Sequence, residues 1–355
     1  YGENVRRGIG FLRELAAVKG VESAGKGFGH AILTYALAEA FAMTGDLSLK
    51  KPLEERVRTM MMRQNKFGSF AENYDNRPAD TPPPSESDDP RWREILIGEP
   101  LCDLPLLSWH IQALTAARNA GIDIEKLEET LDKALEALVR IHQAKKGGFS
   151  GGINMQRYEA DSRLNSVGLL CLQILNAGKS AAAKRAARLV MPDKKDILPK
   201  WRGAGGFSLY RWYYRTQCIF QNENGRGAAW ERWNENMKSE MLANQRPSGA
   251  WLLPSNDKSF ALRNKDDLSI YATAISALIL QVYYRYLPSY SIAEAGKAGA
   301  SLADQLEKGI GGYIHRLPGG ADPLADLILG IGSQTMKTVR FGAFDNRVES
   351  VDTPH

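Results

Sequence analysis

Three short stretches of the chain repeat one spacing: a glutamine, a glycine four residues on, and an aromatic residue two beyond that. They are QNKFGSF (Gln64, Gly68, Phe70), QAKKGGF (Gln143, Gly147, Phe149) and QRPSGAW (Gln245, Gly249, Trp251). A fourth, WRGAGGF (Trp201, Gly205, Phe207), changes only the first residue. With this composition about 0.05 such matches are expected by chance, so the recurrence indicates an internal repeat. A repeat is an architectural constraint before it is a functional one.

Each motif follows an amphipathic, charged stretch of helical period and precedes, directly or after a loop, one that is apolar on nearly all sides. LKKPLEERVRTMMMRQ, IEKLEETLDKALEALVRIHQ and AAWERWNENMKSEMLANQ are of the first kind and read as outer helices. HAILTYALAEAFAMTGD, LPLLSWHIQALTAARNAG, RLNSVGLLCLQILNAG, YRWYYRTQCIFQ and LSIYATAISALILQVYYRYL are of the second kind and belong inside. In the motif, the glycine permits a tight reversal, the ring packs the corner, and the glutamine amide is placed to bond the exposed N–H groups where the next helix starts. Gln245 is therefore a brace rather than a catalyst. The pattern predicts an all-α ring of five helical hairpins over residues 1–290, opening with NVRRGIGFLRELAAV. Residues 291–355 either complete the ring, with Ser301 to Met336 as a partial sixth unit, or leave it.

At 43% hydrophobic and 25% charged residues, the 355-residue chain has the make-up of a soluble globular protein. Cys102, Cys171 and Cys218 are odd in number and widely spaced, which suits buried free thiols better than a disulfide framework. The longest run without a charge, Leu268 to Tyr284, is slightly short for a bilayer span and carries Ser, Thr and Gln; no transmembrane segment is expected. Between Lys179 and Arg215 stand ten Lys/Arg against two Asp. That stretch is either a solvated outer helix or a surface for an anionic partner. No phosphate loop, dinucleotide fingerprint or nucleic-acid motif occurs, so no nucleic-acid partner is expected.

The motifs resemble the Gln-Trp repeats of squalene-hopene cyclases and related prenyltransferase/squalene-oxidase-repeat proteins, over about residues 4–290. YALAEAFAMTGD, SVGLLCLQIL and ATAISALILQVYYRYLP are similar to segments of bacterial proteins that carry this repeat. The resemblance implies an α/α-toroid and favours an exported, periplasmic location. It does not carry over the cyclase chemistry. The cyclase motif Asp-x-Asp-Asp-Thr is missing: NKDDL (Asn264, Asp266, Asp267) and ESDDP (Glu86, Asp88, Asp89) each change one position, and Tyr271 and Ala272 fall where its carboxylates belong. Protonation-type cyclisation is not expected. Neither Asp pair continues to the Asp-Asp-x-x-Asp array that would hold magnesium. Cys102, Asp103, His110 and His30 are too sparse a set for zinc; no metal or cofactor is expected, and the two histidines read as hydrogen-bonding groups.

Because every inner helix follows its motif, the inner N-termini should gather at one end of the ring. That rim would collect His30, Asp103, Trp109, His110, Asp161, Arg163, Arg211, Trp212, Tyr213, Asp266, Asp267 and Tyr271. His110, Asp161, Tyr213, Asp266 and Asp267 are the catalytic candidates, and the others are candidates for ligand binding; helix capping competes for Asp103, Asp161 and Asp266. In RWYYRTQ, arginines flank three aromatics, which suits a sugar or an isoprenoid with a carboxylate or phosphate; core packing with arginine–acid pairs is equally open. The Pro-rich acidic loop 71–100 leaves toward the same end, as a lid or as a disordered insertion.

Three functions remain open. One is a toroid holding a hydrophobic or isoprenoid-like ligand in a central cavity. Another is a lyase on acidic glycans, with Arg163 or Arg211 on the uronate, Tyr213 or His110 as base, and Trp109 and Trp212 stacking sugars. The third is a protein-interaction module.

Overall fold

The computed structural model describes residues 2–17, 21–65, 67–70, 102–143, 148–153, 164–191, 198–202, 209–254 and 265–284. The segments 71–100 and 291–355 named above, with Gly147, Asp161 and Arg163, lie outside the described residues. Among those described, the chain is all-α. Ten helices follow in order: α1 (Gly2–Ala17), α2 (Val21–Thr44), α3 (Lys50–Met62), α4 (Leu104–Asn119), α5 (Leu127–Ile141), α6 (Asn165–Ile174), α7 (Ala181–Val190), α8 (Leu209–Asn222), α9 (Ala228–Ala243) and α10 (Lys265–Leu280).

Even-numbered and odd-numbered helices do different work. α2, α4, α6, α8 and α10 form one row, each packed on the next. Their composition explains why: every residue of α6 is buried, as are Leu104, Leu106 to Ala117 in α4 and Trp212 to Phe220 in α8. The odd-numbered helices cover this row from outside, α5 against α4 and α6, α7 against α6 and α8. They bury one stripe only. In α5 it is Leu127, Thr130, Leu131, Ala134, Ala137, Leu138 and Ile141, the three-and-four spacing of an amphipathic helix. Each fully enclosed Leu or Met along these stripes stabilises the packing by roughly 2 kcal/mol.

The row is not straight. Packed helices stand about 8–10 Å apart, so α4 and α8, separated by α6, would lie about 16–20 Å apart in a flat layer. A serine and a tyrosine joined by a hydrogen bond reach about 16 Å between helix axes at full stretch, only the bottom of that range. Yet Ser108 Oγ in α4 lies 2.8 Å from Tyr214 OH in α8, and the rings of Trp109 and Tyr213 stack at 5.8 Å. The inner helices therefore bend around a common side.

The Gln–Gly turns lie between an outer helix and the next inner one, and two of them are built alike. After α3, Asn65 N–H donates to Ser69 O (2.8 Å), Gly68 N–H to Asn65 O (2.9 Å) and Gln64 Nε2 to Gly68 O (3.1 Å). After α9, Arg246 N–H donates to Ala250 O (2.9 Å), Gly249 N–H to Arg246 O (2.8 Å) and Gln245 Nε2 to Gly249 O (3.0 Å). Gly68 and Gly249 have φ of +84° and +85°, the left-handed region that disfavours a side chain. Gly68 has a second reason: a Cβ there would lie 1.9 Å from the Lys133 carbonyl oxygen of α5. The glutamines depart from expectation in one respect. Their amides donate to carbonyls, Gln64 also to Thr130 O at 2.8 Å, because the –NH2 group offers two donors that reach both the turn and α5.

Two motif rings dock on the following inner helix. Phe70 stacks on His110 at 4.1 Å and Phe149 lies against Gly168, whereas at Trp251 the backbone N–H donates to Thr273 Oγ1 of the following helix (3.1 Å) and the ring N–H to Met241 O of the preceding one (2.8 Å). The corners also carry two-residue antiparallel ladders, β1 (Cys102–Asp103) with β4 (Gly152–Ile153) and β2 (His142–Gln143) with β3 (Gly148–Phe149).

Candidate functional site

The bend of the inner row brings Trp109, Ser108 and Gln112 of α4 against Tyr210, Tyr213 and Tyr214 of α8. Helix α4 is started by Asp103, whose Oδ1 accepts from Leu106 N–H at 2.8 Å, with Pro105 in the first turn. One and two turns later, Ser108 and Gln112 share a face with Trp109 between them. Helix α8 likewise stacks Tyr210 over Tyr214, one turn apart, with ring centroids 4.9 Å apart.

The polar atoms form one directed chain. Tyr213 OH donates to Gln112 Oε1 (3.0 Å), and Gln112 Nε2 donates to Tyr214 OH (3.1 Å). Tyr210 OH also donates to Tyr214 OH (3.3 Å). With two acceptor positions filled, the Tyr214 proton goes to Ser108 Oγ (2.8 Å), which passes its own to Pro105 O (2.7 Å). Trp109 lies over Tyr213 with planes 13° apart, and Tyr35 of α2 meets Trp109 edge-on at 6.1 Å. Burial raises the Tyr214 and Tyr210 hydroxyls well above the ordinary phenol range, so both are neutral at pH 7.

A second polar cluster joins α2, α3 and α4. His30 Nε2 donates to Arg56 O (3.1 Å), and its Nδ1 accepts from Arg56 Nη1 (3.3 Å); the same guanidinium reaches Ala16 O at the end of α1 (3.4 Å). Burial, with the Arg56 and Arg63 charges adding to it, holds His30 down at about 4. His110 Nδ1 donates to Leu106 O (2.9 Å), and burial pushes this ring down to about 3. Both histidines are neutral at pH 7. Burial likewise pushes Cys102 up to about 11 and Cys218 up to about 12, and raises Cys171. All three are free, enclosed thiols.

The sequence-derived candidates are thus distributed by depth. Trp109, His110, Trp212 and Tyr213 are buried, Asp103 is half-buried in its capping role, and Arg211 and Tyr271 are half-buried in the first turns of α8 and α10. Asp266 and Asp267 fall in the first turn of α10. Trp212 meets Trp201 of the variant motif edge-on at 5.7 Å, on a different side of α8 from Tyr213. Arg215 of RWYYRTQ donates Nε to Val190 O (2.9 Å) at the end of α7 and lies over Trp233. Ser108, Gln112, Tyr210 and Arg56 were not among the candidates, and Tyr214 entered only as one of the three aromatics of RWYYRTQ. The signal for Ser108, Gln112, Tyr210 and Tyr214 was a pair of polar residues four apart on each of two helices, which other polar residues on the same helices, among them Thr115, Thr216 and Gln217, obscured. No group of three or more His, Cys, Asp or Glu placed to hold a metal occurs among the described residues. No helix among them is long and apolar enough to cross a membrane.

Comparison with known protein families and with curated proteins returns no match to this chain.

Proposed function

We propose that the chain is an α/α-toroid that holds an apolar, isoprenoid-like ligand on the inner side of its helix row, at the aromatic cluster of Tyr35, Trp109 and Tyr213. The observation that carries this reading is the contact between α4 and α8 across α6. In a closed ring of six hairpins, second-neighbour inner helices stand about 14–17 Å apart, a range that paired Ser and Tyr side chains reach. Two alike Gln–Gly turns at equivalent corners support the same repeat geometry. The chemistry of the cluster favours an uncharged ligand. It offers aromatic faces and hydroxyl groups without a charged side chain, and an apolar guest loses less there than a charged one. Asp103, the carboxylate at the head of α4, is engaged in capping rather than presented as a free acid.

The test is lipid retention and titration. Mass spectrometry of organic extracts from the purified protein should yield a polyprenyl or similar lipid. Added farnesol or geranylgeraniol should quench tryptophan fluorescence saturably at concentrations on the order of 10 µM. Trp109→Phe, checked for folding by circular dichroism, should remove that response. Absence of both retained lipid and quenching refutes the reading; release of unsaturated uronate from acidic glycans would put the lyase in its place.

A further inference from the structure

The outer helices differ in how they balance charge. α1 pairs Arg6 with Glu3, α3 pairs Lys50 with Glu54 and Lys51 with Glu55, and α5 pairs Lys133 with Glu129 and Arg140 with Glu136. Four of these five pairs use the i,i+4 spacing, where opposite charges support a helix. Helix α7 has no acid at all. At the same spacing it sets Lys184 and Arg188, two exposed cations, on one outward face, with Arg185 beside them. Like charges so placed work against the helix. The exposed Lys179, just before the Ser180 cap, adds a cation at the end where the macrodipole is already positive.

Among the described residues, neither Lys179, Lys184 nor Arg188 has an ion pair or side-chain hydrogen bond. Among the described residues Arg185, half-buried on the same helix, also has no ion pair, so no acid on this face offsets its charge. The helix is nonetheless firmly held from behind. Ala183, Ala186 and Val190 are buried, Ser180 caps its start at 3.1 Å, and Arg215 closes its end.

We propose that the outward face of α7 docks on the anionic headgroup surface of a lipid bilayer. Three features select lipid over other polyanions. The cations lie on a short rigid helix rather than along a groove that would track a strand. Leu189, 42% exposed, adjoins Arg185 and Arg188 and supplies an apolar side chain at headgroup depth. The helix itself also carries no acid, as attraction to an anionic surface requires. Docking here does not depend on the ligand reading above, and either stands without the other.

The test is co-sedimentation of the full chain with vesicles of phosphatidylcholine alone and of phosphatidylcholine mixed with phosphatidylglycerol. Binding is expected only to the mixed vesicles and is expected to be lost near 1 M salt, where the screening length falls to about 3 Å. Lys184→Ala/Arg188→Ala should weaken partitioning about 25-fold, about fivefold for each cation at an anionic surface. Its thermal melt should equal or slightly exceed the parent's, because neither side chain supports the fold and their like charges oppose the helix. Absence of binding to mixed vesicles, equal binding to phosphatidylcholine alone, or equal binding by parent and double variant overturns the proposal. So does tighter binding to polyuridylate than to mixed vesicles in the same assay.

Discussion

Acidification should destabilise this protein well before its carboxylates titrate, because two enclosed histidines refuse the proton. A histidine in an unfolded chain takes its proton near pH 6.5. In the folded chain His30 does so only at about 4 and His110 at about 3. Both folded values lie below the unfolded one, so the unfolded state binds more protons as pH falls, and stability declines from about pH 6.5 downward. With close to two protons of difference near pH 5, the slope approaches about 2.7 kcal/mol per pH unit. Integrated from pH 7 to pH 5, the loss is about 4 kcal/mol, a large part of the roughly 5–15 kcal/mol that a domain has in total. Urea unfolding followed by circular dichroism at half-unit steps from pH 7 to pH 5 measures it directly. His110→Phe keeps an aromatic ring on Phe70 but removes one proton site, and should halve the slope to about 1.4 kcal/mol per unit. An unfolding midpoint that stays constant from pH 7 to pH 5, or a slope that His110→Phe leaves unchanged, would refute the reasoning.

Gly68→Ala combines a left-handed backbone with a Cβ 1.9 Å from the Lys133 carbonyl oxygen, and should cost more than about 3 kcal/mol by urea unfolding. Tyr214→Phe removes a hydroxyl that bonds Ser108, Gln112 and Tyr210, and should cost about 2 kcal/mol in the same assay while retaining the helical circular dichroism spectrum. The three cysteines should be silent toward an aromatic disulfide reagent at pH 8 in the native protein and react in full once it is unfolded, as read by thiolate absorbance.

The helices were legible because their burial follows period. The apolar stretch beginning at Leu104 became α4, and the charged stretch from Ile124 to Gln143 contains α5, with boundaries displaced by a few residues. The glycine and ring of the Gln–Gly turn were legible too, since each has a local steric task. Depth was not. Trp109, His110 and Tyr213 stand near helix starts, where a ring of inner helices would place a rim, but a linear pattern does not tell how sharply the row bends, and the bend encloses them. Partners distant in sequence were equally hidden. Arg56 meets His30 across two helices, and Tyr214 meets Ser108 over 106 positions; nothing in either local stretch announces the other. Asp161, Arg163 and the loop 71–100 lie outside the described residues.

The absence of any side chain at Gly68 sets the thickness of a joint. There α5 rests directly on the backbone of the preceding turn, so the angle between one hairpin and the next is fixed by carbonyl and peptide rather than by a compressible side chain. A wedge of one methyl group at this joint would push α5 off the turn, and because α5 also packs on α4 and α6 the displacement would reach the inner row.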